Sequence, residues 1–166
     1  MMRRIPAFHA DRQGTASAEF VLMLPLLVVM LFAMFEGGYF LYCQHIVTKA
    51  VRDGARFAAR ANFSNYTNCG AGTVSATVVS HVQELTRTGT LSGGTARLPG
   101  WVNSDVTVTC AYNASFKDGI YKLETSGAPT VTVSASVKYK PLFGVLGGHS
   151  ANLHLNASAH AAVMGI

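Results

Sequence analysis

The order of apolar and polar positions divides the chain into stretches of different period. Residues 1–14 hold three arginines, a proline and an aspartate, without an apolar repeat. From Phe20 to Phe35 sixteen consecutive residues carry no charge, and apolar character continues through "GGYFLYC" to Cys43, interrupted by Glu36. A helix over Phe20–Cys43 would rise about 36 Å, enough to cross a hydrocarbon core of about 30 Å. Pro25 withholds one helical hydrogen bond from the carbonyl of Val21, which predicts a kink that a membrane tolerates when neighbouring groups satisfy the freed carbonyl. Tyr39 and Tyr42 fall where an interfacial aromatic belt would lie.

Beyond Cys43, "QHIVTKAVRDGARFAARAN" places apolar residues at helical spacing: Ile46, Val47, Ala50, Val51, Ala55, Phe57, Ala58 and Ala61. Lys49, Arg52, Asp53, Arg56 and Arg60 fall largely on other faces. The anchor helix is therefore expected to continue into water and to lay its apolar stripe on a small domain, although the same stripe could lie on a lipid surface. Val74, Val78, Val82 and Leu85 predict a short second helix, between the loop "NFSNYTNCGAG" and the breaker "RTGTLSGG". The period then becomes two. Val106, Val108, Cys110 and Tyr112 form one alternating set, Val131, Val133, Ala135, Val137 and Tyr139 a second, and Leu153, Leu155, Ala157 and Ala159 a third. Turn signals at "KDG", "SGAP" and "KPLFGVLGG" separate these sets.

The expected fold is α+β: a long N-terminal transmembrane helix running on into a small domain with a short second helix and a three-to-four-stranded antiparallel sheet. The expected divisions are a basic leader at 1–14, a transmembrane helix at 15–43, an amphipathic extension at 44–62 and an extracytoplasmic domain at 63–166. A length of 166 residues accommodates this plan, one modest core plus an anchor. A cleaved secretory signal fits less well, because "FAMFEGG" puts bulky residues where its peptidase needs small ones. A lipoprotein site before Cys43 fails on Phe40, Leu41 and Tyr42.

The net charge of +5 is spread over the leader, the helix extension and six scattered Lys or Arg residues after Ala61. That dispersal lacks the basic cluster with interleaved aromatics of a nucleic-acid binder, so no nucleic-acid partner is expected. Cys43, Cys69 and Cys110 have no CxxC or CxxH spacing, and no zinc site is expected. In an oxidising compartment Cys69 and Cys110 could pair and leave Cys43 over; three buried thiols is the other reading. Of the six histidines, His154 and His160 share the polar face of the last strand with Asn156 and Ser158, opposite Leu153 and Leu155, and His45 and His81 fall on helix surfaces. They read as surface residues rather than metal ligands, and neither metal nor cofactor is expected. No GxSxG, HExxH or P-loop pattern occurs, so no catalytic residues are assigned and an enzyme is not expected. The four sequons, at Asn62, Asn65, Asn113 and Asn156, carry no functional weight.

One ionisable residue stands out. Glu19 lies directly against the start of the apolar run in "GTASAEFVLMLPLL". An isolated carboxylate is costly to take into hydrocarbon, so Glu19 needs a partner, an altered protonation state, or a place at the solvated headgroup boundary. Glu36 lies 17 residues on, about 25 Å up an ideal helix and so near the opposite interface, where it could snorkel, be protonated or pair.

The stretch "GTASAEFVLMLPLLVVMLFAMFEGGYFLYCQHIVTKAVRDGARFAAR", Gly14 to Arg60, resembles the TadE-like proteins, minor pilins or pseudopilins of bacterial tight-adherence pili. The shared features are Gly14 five residues before Glu19-Phe20, then "LPLL", then Glu36 with Gly38, then "AVRDGAR". Past Arg60 the likeness rests on "TVTVSASVKYKPL", similar to a distal strand of the family and the turn after it. The resemblance implies cleavage after Gly14 by a membrane-embedded prepilin peptidase, leaving a free amine on Thr15. Gly14, with no Cβ, would let a protease approach the backbone closely. Thr15 lies one helical turn before Glu19, so the new amine could pair with Glu19 within the chain or with that of a neighbour at the same depth. By likeness to pilins the pair is expected between chains, with Glu19, Phe20 and Glu36 as assembly residues. Expected partners are the peptidase, other pilins of the pilus, the inner-membrane assembly platform and the membrane itself. Three Lys or Arg residues before the span and four after it leave orientation open by charge. The processing motif alone puts the N-terminus in the bacterial cytoplasm and the domain in the periplasm, with incorporation into an extracellular pilus as the further step. Two other classes fit the same outline: an uncleaved bitopic protein whose outer domain binds a ligand or envelope partner, and a membrane-tethered enzyme, which would need a polar pocket in the sheet domain.

Overall fold

The computed structural model describes residues 13–124, 126–144 and 152–165. The expected leader lies outside them as far as residue 12, as does the "VLGG" end of the last turn signal. Five principal elements follow in order: α1 (Gln13–Ala59), α2 (Ala76–Thr88), β1 (Val106–Asn113), β2 (Ala128–Lys138) and β3 (His154–Ala162). The chain forms two compact units, one ending at Gly38 and one from Tyr39 onward.

In the first unit α1 is helical through Pro25, and every residue from Ser17 to Phe35 is exposed, Leu22 to 80%. Each large apolar side chain left in water forgoes roughly 1.5–3 kcal/mol of burial, so this surface is built for an apolar surround. The helix is long and apolar enough to cross a membrane. The 19 residues from Phe20 to Gly38 alone would rise about 28 Å.

The second unit begins earlier than hydropathy suggests. Cys43, assigned to the span from its apolar neighbours, is 3% exposed in the domain core, and Tyr39 and Phe40 place their rings 6.1 and 5.2 Å from that of Tyr139. A hydropathy run cannot distinguish a residue that faces lipid from one that faces a protein interior. Tyr42 stays exposed, as expected of a residue at the water interface. From Cys43 the buried side of α1 is Val47, Ala50, Val51, Ala55 and Ala58 of the expected stripe, joined by Ala59, while Ile46, Phe57 and Ala61 are half-buried at its margins.

The end of α1 is held by the domain. The last carbonyls of a helix lack intrahelical donors; here the Tyr66 hydroxyl donates to the carbonyl of Ala58, and the Met164 N–H donates to that of Ala59 at 2.7 Å. Tyr66 is 1% exposed, and burial pushes its phenol up to about 12. A raised folded-state pKa means that its stabilising contribution is complete below the unfolded value near 10 and is lost as pH rises through 12.

Helix α2 buries Val78, Val82 and Thr86, a line that ends on Thr86 where the apolar pattern suggested Leu85. It stops at Gly89, whose φ of 88° few other residues adopt and whose N–H returns to the Leu85 carbonyl at 2.8 Å. A Cβ on Gly54 of α1 would run into the hydroxyl of Thr86 and meet Val82 at 3.4 Å, so glycine is what lets the two helices approach. The Thr86 hydroxyl is buried without a hydrogen-bond partner among the described residues. Gly54→Ala is accordingly expected to destabilise the domain by about 1–3 kcal/mol. Adding Thr86→Ala should recover part of that loss, seen as non-additivity in denaturant unfolding; strict additivity would argue against the close crossing.

The sheet is antiparallel with order β1-β2-β3, which puts β2 in the centre. Val106, Val108 and Cys110 on β1, Val131, Val133, Ala135 and Val137 on β2, and Leu155 on β3 face the core with Trp101 and Tyr139. Two strand limits differ from the period-two reading. Pro129, expected in the turn, lies in β2 opposite Tyr112. The position tolerates proline because the Tyr112 row of β1 turns its backbone away from β2, as the Cys110 N–H bonded to the Gly72 carbonyl shows, while the Pro129 carbonyl accepts from Val163 at 2.9 Å. Leu153, expected beside Leu155 in the core, precedes β3 and is 44% exposed.

Candidate functional site

Gly14 and Thr15 are helical and belong to α1. One turn on, Glu19 and Phe20 are exposed, Phe20 to 59%. Glu19 has no ion pair among the described residues. It projects from the same exposed surface as the apolar run, so none of the described residues compensates it once that surface meets lipid.

Glu36 stands near the far end of the exposed run and is half-buried. Beside it, a Cβ on Gly37 or Gly38 would meet no atom within 4 Å, so no packing among the described residues requires these glycines. The five positions Gly14, Thr15, Glu19, Phe20 and Glu36 thus share one helix without converging into a pocket.

Cys69 and Cys110 form a disulfide with a Cα–Cα distance of 4.9 Å. It joins a 3-10 turn (Cys69–Ala71) in the loop after α1 to the outer edge of β1. Cys43 lies outside this bridge, buried. The same loop is tied to β1 by the Tyr112 hydroxyl, which donates to the Tyr66 carbonyl at 2.8 Å.

The outward face of the sheet carries the histidines. His154 and His160 are exposed, as are Asn156 and Ser158 between them. The Nδ1 of His160 lies 2.8 Å from the Thr132 hydroxyl and that of His154 lies 3.4 Å from the Ser136 hydroxyl. No group of three or more His, Cys, Asp or Glu suited to a metal occurs among the described residues. A shallow open depression of about 370 Å³ lies on this face between Asp105, Thr107, Ser134, Ser136, Asn156 and Ser158. Ala135 and Ala157 complete its lining beside the hydroxyls, the Asn156 amide and the Asp105 carboxylate, which accepts the Val102 N–H at 3.0 Å.

One feature of α1 escaped the sequence reading. Its basic residues were placed only on "other faces", yet His45, Lys49, Arg52 and Arg56 are all exposed, as is Arg60 in the turn that follows. Their spacings of four, three, four and four residues were the available signal, since such spacings return to one side of a helix.

The model of a family described as TadE-like protein matches residues 14–56. The match begins at Gly14 and covers Glu19, Phe20, Glu36 and most of the basic face. It implies involvement in a tight-adherence (Tad) pilus, and with a helix able to cross a membrane it is compatible with a single-pass membrane protein. No curated protein and no solved structure gives a match.

Proposed function

Because residues 14–56 are TadE-like, we propose that this chain is a minor pilin or pseudopilin of a Tad pilus, acting in pilus assembly, surface adherence or the associated secretion. In this reading α1 anchors it in the bacterial inner membrane with the N-terminus cytoplasmic and the α+β domain periplasmic. A prepilin peptidase cuts after Gly14. The mature chain then leaves the membrane platform to join other pilins, and its role is structural, not enzymatic.

The observation that carries the proposal is that the family match starts at Gly14, five residues ahead of an acid that has no ion pair among the described residues. Cleavage would create the Thr15 amine one turn from Glu19. In a filament that amine and a neighbour's Glu19 come to the same depth, and the pair fixes the axial register. Leaving Glu19 unpaired in lipid disfavours a wrongly docked subunit, so the pair supplies specificity more than stability.

The test is the mass of the mature chain extracted from membranes of the producing cell. A new N-terminus at Thr15 supports the reading, and an intact leader overturns it. Glu19→Ala is expected to leave membrane insertion unchanged and to reduce the chain recovered with sheared pili at least tenfold. Wild-type recovery of that variant would remove the register role.

A further inference from the structure

The basic face of α1 has no acidic counterpart among the described residues. His45, Lys49, Arg52 and Arg56, with Arg60 just beyond the helix, lie within an arc of about 80° and along about 22 Å of helix axis. All five are exposed, and none of the four Lys or Arg residues has an ion pair among the described residues. Asp53, the one acid in this stretch, is turned to the side and engaged by Arg97 at 3.8 Å. Four like charges repeated at helical spacing repel one another, so the row has a cost that a partner would relieve.

The opposite side of the same helix is fully used. Val47, Ala50, Val51 and Ala58 are 0% exposed beneath the sheet and α2. An amphipathic helix that lies in a membrane surface must insert its apolar side next to its basic one, and here that side belongs to the domain core. A second copy is no better suited. Face to face, the two rows would set cation against cation. From Tyr39 onward the chain has ten Lys or Arg residues against five acids. Glu84 is bound by Arg87 at 2.8 Å, and Asp105 accepts a backbone N–H. Asp118 and Glu124 stand in a loop beside Lys117 and Lys122. No acidic face is left to meet the basic one.

We propose that the face formed by Lys49, Arg52, Arg56 and Arg60 is the docking surface for an acidic helix of a different subunit. The inference rests on the reading of this chain as a pilus subunit and names the chemistry of its neighbour. The charge pattern selects a heterologous contact in two ways: it attracts an acidic face, and it repels another copy of itself. A subunit so equipped enters an assembly beside a different protein and does not stack on its own kind through this face.

The test uses the full chain in nanodiscs of phosphatidylcholine and, as probe, a fluorescent alanine-based helical peptide with glutamates spaced four, three and four residues apart. Binding should be at least tenfold tighter than that of the same peptide with glutamine at those positions, and should weaken as salt is raised. It should fall at least tenfold for Lys49→Gln/Arg52→Gln/Arg56→Gln, whose fold is checked by its near-ultraviolet circular dichroism. Equal binding of the two peptides, equal binding by the variant, or equal binding of a peptide with its glutamates spread around the helix would each overturn the proposal. So would loss of peptide binding in phosphatidylglycerol nanodiscs, which would give the face to the membrane, or ready oxidative dimerisation of an Arg56→Cys chain, which would give it to a second copy. Retention of the leader in cells would leave all these outcomes unchanged, so failure of the processing reading is distinguishable from failure of this one.

Discussion

Gly14→Leu is expected to yield a chain that inserts into the membrane and keeps its leader. Peptide hydrolysis requires the scissile bond to leave the helix and lie extended across the protease, with backbone atoms on both sides of the cut in close contact. Glycine favours both requirements: it weakens the helix in which it lies, and adds no Cβ to the approach. Leucine opposes both. It strengthens the helix by most of the roughly 1 kcal/mol that separates glycine from good helix formers, and it puts a branched side chain at the point of attack. A fall of at least about a hundredfold in cleavage rate is expected, equivalent to about 2.7 kcal/mol in the barrier. Gly14→Ala should lose less, because it restores helix propensity while adding one methyl. Intact mass after membrane extraction reads the outcome, and resistance to alkaline extraction checks insertion. Normal processing of Gly14→Leu would mean that the cut, if any, lies elsewhere.

The sequence signals that read correctly were those in which one period persists over many residues. Sixteen uncharged residues from Phe20 announce a helix that can span whatever its context. The alternation of Val131, Val133, Ala135 and Val137 fixes which face of β2 is buried. Where the reading strayed, a tertiary contact had decided. Cys43 looks like the end of a span because its neighbours are apolar, but it belongs to the core once Tyr139 covers Tyr39 and Phe40. The apolar line of α2 reads as ending on Leu85 and instead ends on Thr86, 0% exposed where Gly54 lets α1 come close. Pro129 reads as a strand breaker and is admitted because the row of β1 opposite it does not bond to β2. The candidate site divides the same way. That Glu19 calls for compensation follows from its apolar neighbours alone, whereas the identity of a partner in another chain leaves no periodic trace. The basic row along α1 was present as spacing, but its significance required knowing that the apolar side of that helix was already occupied.

The domain itself should depend most on the bridge between Cys69 and Cys110. The two cysteines are 41 residues apart, and closing a loop of that length restricts the unfolded chain by about 4 kcal/mol in the chain-entropy account. Against the 5–15 kcal/mol typical of a whole domain, this is a large share. Cys69→Ser/Cys110→Ser in the full chain is therefore expected to lower the melting temperature of the domain by about 10–15 °C. A reductant should produce the same drop in the wild-type chain and none in the variant. The first structure to loosen should be the segment between α1 and α2. Without the bridge, that segment is held to β1 by the Gly72 carbonyl with the position-110 N–H at 3.3 Å and by the Tyr112 hydroxyl. Because Tyr66 belongs to it and caps the Ala58 carbonyl, its release should also fray the last turn of α1, visible as faster amide exchange there. A melting temperature unchanged by both the substitution and the reductant would show that the bridge does not form in the mature protein. A drop with undisturbed exchange near Ala58 would separate the bridge from the seating of the helix.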